Sequence, residues 1–304
     1  MKVYFTDHFS LPLPPGHRFP IQKYARLRER VAASGLGELL EPMAVMDEQI
    51  LLVHDQEYLR KILSGELTER EVRNLGFPWS SALIERSRRS SGATLAAGRM
   101  ALTEGVAVNL AGGTHHAYPD RAEGFCVFND AAIALRVLQR EGRIRRGLVV
   151  DTDVHQGNGT AVIFADDPSV VTFSIHGFSN YPFRKERGDI DLALEDGAGD
   201  EVFLAALEQG LDLGFARGPF DLVLYLAGAD PHENDRLGRL KVTKDGLARR
   251  DVMVFERCVA ERVPVAVAMA GGYGRELEDT VDIHYSTVVA AAAFADRLSR
   301  RSGA

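Results

Sequence analysis

The chain has 304 residues, 45% hydrophobic and 26% charged, which describes a globular protein with apolar residues enough for a sizeable core. A formal charge of −7 argues against a nucleic-acid surface, which needs a concentrated basic patch, and against a nucleic-acid partner. Two cysteines, Cys126 and Cys258, are too few for a disulfide framework and fit a reducing compartment.

In chain order, "MKVYFTDHFS" alternates like a strand at "KVYF" and carries no apolar signal segment. A helical pattern at roughly 80–104 holds the basic cluster "RRSSGATLAAGR", read as a solvated face, and runs into the strand candidate "GVAVNL". Helical patterns near 129–141, 157–165, 199–216 and 243–262 then alternate with "GLVVD", "SVVTFSI", "FDLVLYL" and "VPVAVAMA". A last helix is expected near 276–298; its apolar stretch "STVVAAAAFA" is too short to span a bilayer, so a cytoplasmic protein without a membrane span is expected. No linker, charge block or repeat divides the sequence, and residues 1–304 are expected to form one domain. Continuous apolar strands between helices read as an α/β fold, a central parallel β-sheet with helices on both faces.

In such sheets ligands bind beyond the carboxyl ends of the strands. The unusual residues fall there: "GVAVNL" runs into "AGGTHHA", "GLVVD" into "TDVHQGNG", "FDLVLYL" into "AGADP" and "VPVAVAMA" into "GGYG", while "SVVTFSI" ends at His176. Asp151, Asp153 and His155 follow at a spacing of two, so an extended chain shows all three on one face. Carboxylate oxygen and imidazole nitrogen suit zinc and similar divalent ions. Asp-x-His alone is common in caps and loops, but Asp230 at another strand end supplies a third ligand; by itself it would be an Asp-Pro turn. Three protein ligands leave a fourth position open, the catalytic pattern, and Asp151 remains to orient a histidine.

His115 and His116, on a loop loosened by Gly112 and Gly113, can share general-base and general-acid work, although an isolated His-His pair is more often structural. Tyr273, after Gly271 and Gly272, adds an O–H donor of the kind that stabilises an oxyanion; alone it is a loop tyrosine.

"GGTHHA", "GFCVFNDAAIA", "DTDVHQGNG", "LAGADP" and "GGYG", in this order, resemble the zinc-dependent histone deacetylase family, and the match runs from "VHDQEYL" through the C-terminal helix. "HQGNG", the "YP" after the Ser-x-His strand end, and "ENDRLGRLKVTKDGLARRD" look like the class IV deacetylases and their bacterial relatives.

The resemblance implies a single-domain arginase/deacetylase fold with zinc, or iron(II), held by Asp153, His155 and Asp230. It makes His116 the main proton-transfer residue, His115 its electrostatic neighbour and Tyr273 the donor to the acyl oxygen. Asp151 would orient His115 and hold a structural potassium ion (K+) with backbone oxygens of Asp153 and His155, the Ser174 hydroxyl and the Ile175 carbonyl. Phe125 and Tyr181 would line a narrow apolar tunnel for the acyl-lysine stem, and the Gly124 carbonyl would meet the substrate amide N–H. The partner of His116 is Asn158 where other branches have Asp; a neutral partner makes His116 the weaker base. His176 is given no role.

The activity implied is removal of an acyl group from the amine of acyl-lysine, in a peptide or protein, by a metal-activated water. Three alternatives stand beside it. One is a deacetylase of small acylated amines such as polyamines. Another is an arginase- or agmatinase-type binuclear manganese hydrolase, for which Gly157 stands where a further ligand is needed. The last is a non-catalytic module that binds acyl ligands or metal. Class IV relatives are associated with long-chain acyl removal, and acyl length, ion and oligomeric state are left open.

Overall fold

The structure, a computed structural model, describes residues 1–299. The strands are β1 (Lys2–Tyr4), β2 (Glu38–Leu40), β3 (Val106–Asn109), β4 (Gly147–Asp151), β5 (Val170–Gly177), β6 (Ile190–Leu194), β7 (Leu222–Leu226) and β8 (Val265–Ala268). They form one sheet in the order β2-β1-β3-β8-β7-β4-β5-β6, with every neighbouring pair parallel. β3, β4, β5, β7 and β8 are buried at every position, which is why their sequences are nearly unbroken apolar runs.

Helices cover both faces: α1 (Gln22–Ser34), α2 (Asp47–Ile50), α3 (Gln56–Ser64), α4 (Glu69–Leu75), α5 (Ser81–Glu104), α6 (Asp130–Arg140), α7 (Asn158–Phe164), α8 (Asp200–Phe215), α9 (Lys244–Ala260) and α10 (Leu277–Ser299). Successive strand residues point to opposite faces and so split the apolar residues into two cores. Val106, Val108, Val223, Tyr225, Val265 and Val267 join α1, α8, α9 and α10 on one side. Ala107, Leu222, Leu224, Leu226, Ala266 and Ala268 join α2 to α7 on the other. There the small residues of β3 and β8 lie under α5, whose Ala93, Ala97 and Ala101 are buried.

The α/β class, the parallel sheet and its helical cover agree with the expectation, and each expected strand and helix has a counterpart within a few residues. β5 runs on through His176, so that residue lies within the strand, 1% exposed, and not after it. β2, β6 and α1 to α4 were not expected. β2 and α2 are only three and four residues long, too short to show a period. β6 is an edge strand with a mixed burial pattern, and its "IDLAL" has no continuous apolar run. In the basic cluster, Arg88 pairs with Asp47, Arg89 with Glu85 and Arg99 with Glu141, while Ser90, Ser91 and Thr94 between them are buried. Among the described residues no helix is long and apolar enough to cross a membrane.

Candidate active site

β3, β8, β7 and β4 are neighbours in the sheet, so the loops that leave their carboxyl ends are neighbours too. Those loops carry His115 and His116, Tyr273, Asp230, and Asp153 with His155, and all six line one cavity of about 550 Å³.

Asp153, His155 and Asp230 are buried, with ligand-type atoms all within 4.8 Å of one another. His155 Nδ1 lies 2.9 Å from Asp153 Oδ1, and Asp153 Oδ2 accepts the Gly271 N–H at 2.8 Å. Asp230 Oδ1 accepts the Val154 N–H at 2.9 Å. Asp230 Oδ2 is buried with no hydrogen-bond partner, although His155 Nδ1 stands 3.3 Å away. A buried carboxylate oxygen without a partner is costly, and a cation between these groups would satisfy it. Two carboxylates and one imidazole are a donor set that fits a divalent ion such as zinc or iron(II). Burial and the charge of Asp153 push Asp230 up to about 7; burial opposes a charged His155, but the hydrogen bond to Asp153 and the nearby Asp230 carboxylate outweigh it and push the ring up to about 10. Gly271 is required by this crowding: a Cβ there would sit 2.0 Å from Asp230 Oδ2.

The paired histidines do converge, with ring centroids 4.1 Å apart. Their loop is pinned by Asp130, which accepts the N–H groups of Gly113 (2.9 Å) and Thr114 (2.7 Å) and the Thr94 and Thr114 hydroxyls. His115 Nδ1 donates to Asp151 Oδ2 at 2.6 Å. Burial disfavours a charged His115, but Asp151 and Asp153 overcome it and raise the ring to about 9. His116 Nδ1 donates to Asn158 Oδ1 at 2.6 Å, which leaves Nε2 with the lone pair. Burial, then the charges of His115 and His155, hold His116 well below the usual histidine range. The two rings therefore differ: the carboxylates beside His115 favour its charged form, whereas burial above all favours the neutral form of His116.

Tyr273 is fixed by its backbone N–H, which donates to Asp235 Oδ2 at 2.6 Å, and by ring contacts with Phe19 and Phe125. Burial above all keeps its phenol well above the ordinary tyrosine range, so it remains a donor. Phe125 and Tyr181 form walls of the cavity, and the Tyr181 ring meets His116 edge-on at 5.0 Å between centroids. Phe125 has φ +68°, rare for a bulky residue. It is held there because the N–H groups of Gly124 and Phe125 donate to the end carbonyls of α4, Asn74 and Leu75. Gly124, at φ +55°, admits no side chain, since a Cβ would lie 2.5 Å from the His116 ring.

Asp151 and Ser174, register partners on β4 and β5, line a small cavity of about 10 Å³. Ile175, Asp153 and His155 are not among its lining residues. Ser174 Oγ is 2.9 Å from His176 Nδ1, and burial holds that histidine down at about 3.

Sequence reasoning missed Lys23 and Arg86, both buried in the cavity wall. Lys23 Nζ donates to the Ala270 and Gly272 carbonyls at 3.4 and 3.3 Å and lies 5.6 Å from the Tyr273 ring centroid. Arg86 stacks on Tyr24 at 4.5 Å. A signal existed for the first: Lys23 stands four before Leu27 and eight before Val31, on the buried stripe of α1.

A family model described as histone deacetylase domain matches residues 17–288. The chain is 41% identical over 293 residues to an uncharacterised protein of Picosynechococcus sp., covering 93% of this chain and 95% of that one. It is 30% identical over 283 residues to histone deacetylase 2 of Arabidopsis thaliana, covering 88% and 73% of the two chains. A solved acetylpolyamine aminohydrolase from Burkholderia pseudomallei shares the fold, with a TM-score of 0.82 at 23% identity over 97% of this chain and 99% of that one. The chain thus belongs to the histone deacetylase family.

Proposed function

We propose that the protein is a metal-dependent deacylase that hydrolyses the amide between an acyl group and an amine, with acyl-lysine as its substrate class. The convergence of Asp153, His155 and Asp230 with His115, His116 and Tyr273 on one cavity carries this reading. Asp153, His155 and Asp230 would hold zinc or iron(II), which when bound supplies Lewis-acid polarisation of the acyl carbonyl and a lowered pKa for water.

The protein's own residues do the rest. His116 Nε2 takes a proton from the attacking water. Tyr273 donates its hydroxyl to the acyl oxygen as negative charge develops there. His115, kept charged by Asp151, stabilises that charge, and the departing amine nitrogen is protonated from the histidine pair. The Gly124 carbonyl accepts the substrate amide N–H, and Phe125 and Tyr181 flank the alkyl stem. Asp151, with the Ser174 hydroxyl and the backbone oxygens of Asp153, His155 and Ile175, would hold a structural potassium ion; a cavity of about 10 Å³ lies beside Asp151 and Ser174. We read the full chain as one cytoplasmic domain, in keeping with its two free, buried cysteines.

The wall of the cavity includes the apolar Leu11, Tyr24 and Leu83 beside the charged Lys23 and Arg86, so the acyl length it accepts is read by the peptide series below. A binuclear site gains no support: among the described residues one cluster of three or more metal-ligand side chains is found. Hydrolysis of lysine peptides from acetyl to myristoyl, with Tyr273→Phe alongside, tests the reading. Turnover that the substitution removes is expected. Turnover confined to small acylated amines would move the substrate class to those, and metal binding with no hydrolysis of any acylated amine would leave a binding module.

A further inference from the structure

An asparagine can meet a histidine in two ways, and only one of them leaves a base. With its carbonyl towards His116, the ring must carry its proton on Nδ1 and keeps a lone pair on Nε2. With its NH2 towards His116, Nδ1 becomes the acceptor, Nε2 carries the proton and the base is gone. An Asp at position 158 would settle the matter alone, because a carboxylate only accepts. Asn158 must be told which way to face.

The hydrogen bonds beyond it give the instruction. Asn158 Nδ2 donates to the Tyr118 hydroxyl at 3.0 Å, and that hydroxyl donates to Glu186 Oε1 at 3.2 Å. A carboxylate only accepts. The Tyr118 O–H is therefore spent on Glu186, and the phenol oxygen can only accept from Asn158. The amide nitrogen is turned outward and its oxygen towards His116 Nδ1, 2.6 Å away. Both outer members are held in place. Gln156, between His155 and Asn158, accepts the Glu186 N–H at 2.9 Å and donates to the Glu186 carbonyl at 2.7 Å. The Arg121 guanidinium covers the Tyr118 ring at 3.5 Å.

We propose that Tyr118 and Glu186 are positioning residues, and that the half-buried carboxylate at 186 fixes the direction of a hydrogen-bond chain ending in the lone pair on His116 Nε2. The proposal rests on the reading of His116 as the proton acceptor.

Nitrogen-15 NMR of the imidazole rings in the folded protein reads the tautomer without any substrate, and kcat and KM follow in parallel. Wild type shows the Nδ1–H form at His116. Glu186→Gln presents either end of an amide to Tyr118, so the Nε2–H form appears and kcat falls about twofold or more at unchanged KM. Glu186→Lys can only donate; it reverses the chain, makes Nε2–H the main form and lowers kcat on the order of 100-fold. Tyr118→Phe cuts the chain and gives a mixture. Asn158→Asp in the Glu186→Lys background restores Nδ1–H and most of kcat, a rescue that a merely structural role does not provide. An unchanged Nδ1–H signal in both Glu186→Lys and Tyr118→Phe overturns the proposal. A tautomer switch in a protein that hydrolyses no acyl amide supports the chain of bonds and overturns the deacylase reading instead.

Discussion

Replacing Gly271 by alanine perturbs the candidate metal centre without removing any proposed ligand. The new Cβ would lie 2.0 Å from Asp230 Oδ2 and 2.5 Å from Asp153 Oδ2, where contacts under 3.0 Å essentially never occur. Relief by the carboxylate alone moves the Asp230 oxygen by about 1 Å, from 2.0 Å out to the 3.0 Å limit. Metal–ligand distances tolerate only about 0.2 Å. Loss of residues that merely orient ligands already costs roughly 10- to 100-fold in metal affinity, so Gly271→Ala should weaken zinc binding at least about tenfold. Overpacking should also cost about 1–3 kcal/mol of stability. Competition with a fluorescent zinc chelator reads the first effect and thermal unfolding the second. Zinc affinity within twofold of wild type would refute the reasoning, because it would mean that the pocket between the carboxylates is not where the ion sits.

Tyr273→Phe should lower kcat by roughly 100- to 1,000-fold while zinc affinity, measured by the same chelator competition, stays unchanged. Arg250 is fully buried, pairs with Asp251 and donates to the Gly228 carbonyl, two residues before Asp230. Arg250→Met leaves Asp251 buried without its cation and should destabilise the fold by about 3–5 kcal/mol in urea unfolding. His54 is buried and neutral, lowered to about 4 by burial above all, and it accepts the Asn129 N–H on Nε2. Its folded pKa lies below its unfolded value, so the unfolded chain binds the extra proton and stability falls as pH drops from about 6.5 towards 4. Between about pH 7 and pH 5 this group alone should cost about 2 kcal/mol, and His54→Gln should flatten that slope in urea titrations at the two pH values.

The central sheet was legible because buried parallel strands need continuous apolar runs, and "GLVVD" and "VPVAVAMA" have no other ready reading. The site was legible for a related reason: its side chains sit directly after those runs, so the strand ends point to them. What stayed hidden depends on contacts between distant segments. Lys23 reaches Ala270 and Gly272 across about 250 residues, and nothing near it in the chain marks it as a cavity residue beyond the stripe of α1. Asp130 looks like the first residue of an ordinary helix, yet it accepts from the loop that carries both histidines. Glu186 sits in "FRKERGD", a charged stretch that reads as solvated loop, until folding sets its carboxylate against Tyr118. Asn158 was recognised as the neutral partner of His116, but the Tyr118 hydroxyl that orients its amide is 40 residues away in the chain and adjacent only in space.

Hydrolysis should depend on an ion held by Asp153, His155 and Asp230. The direct measurement strips the protein of metal with a chelator and follows hydrolysis of an acyl-lysine peptide as zinc is returned, beside Asp230→Ala. Activity that is absent without metal, returns with one ion per chain and never returns in Asp230→Ala is the predicted result. Full activity in the stripped protein, or in Asp230→Ala, would contradict the account.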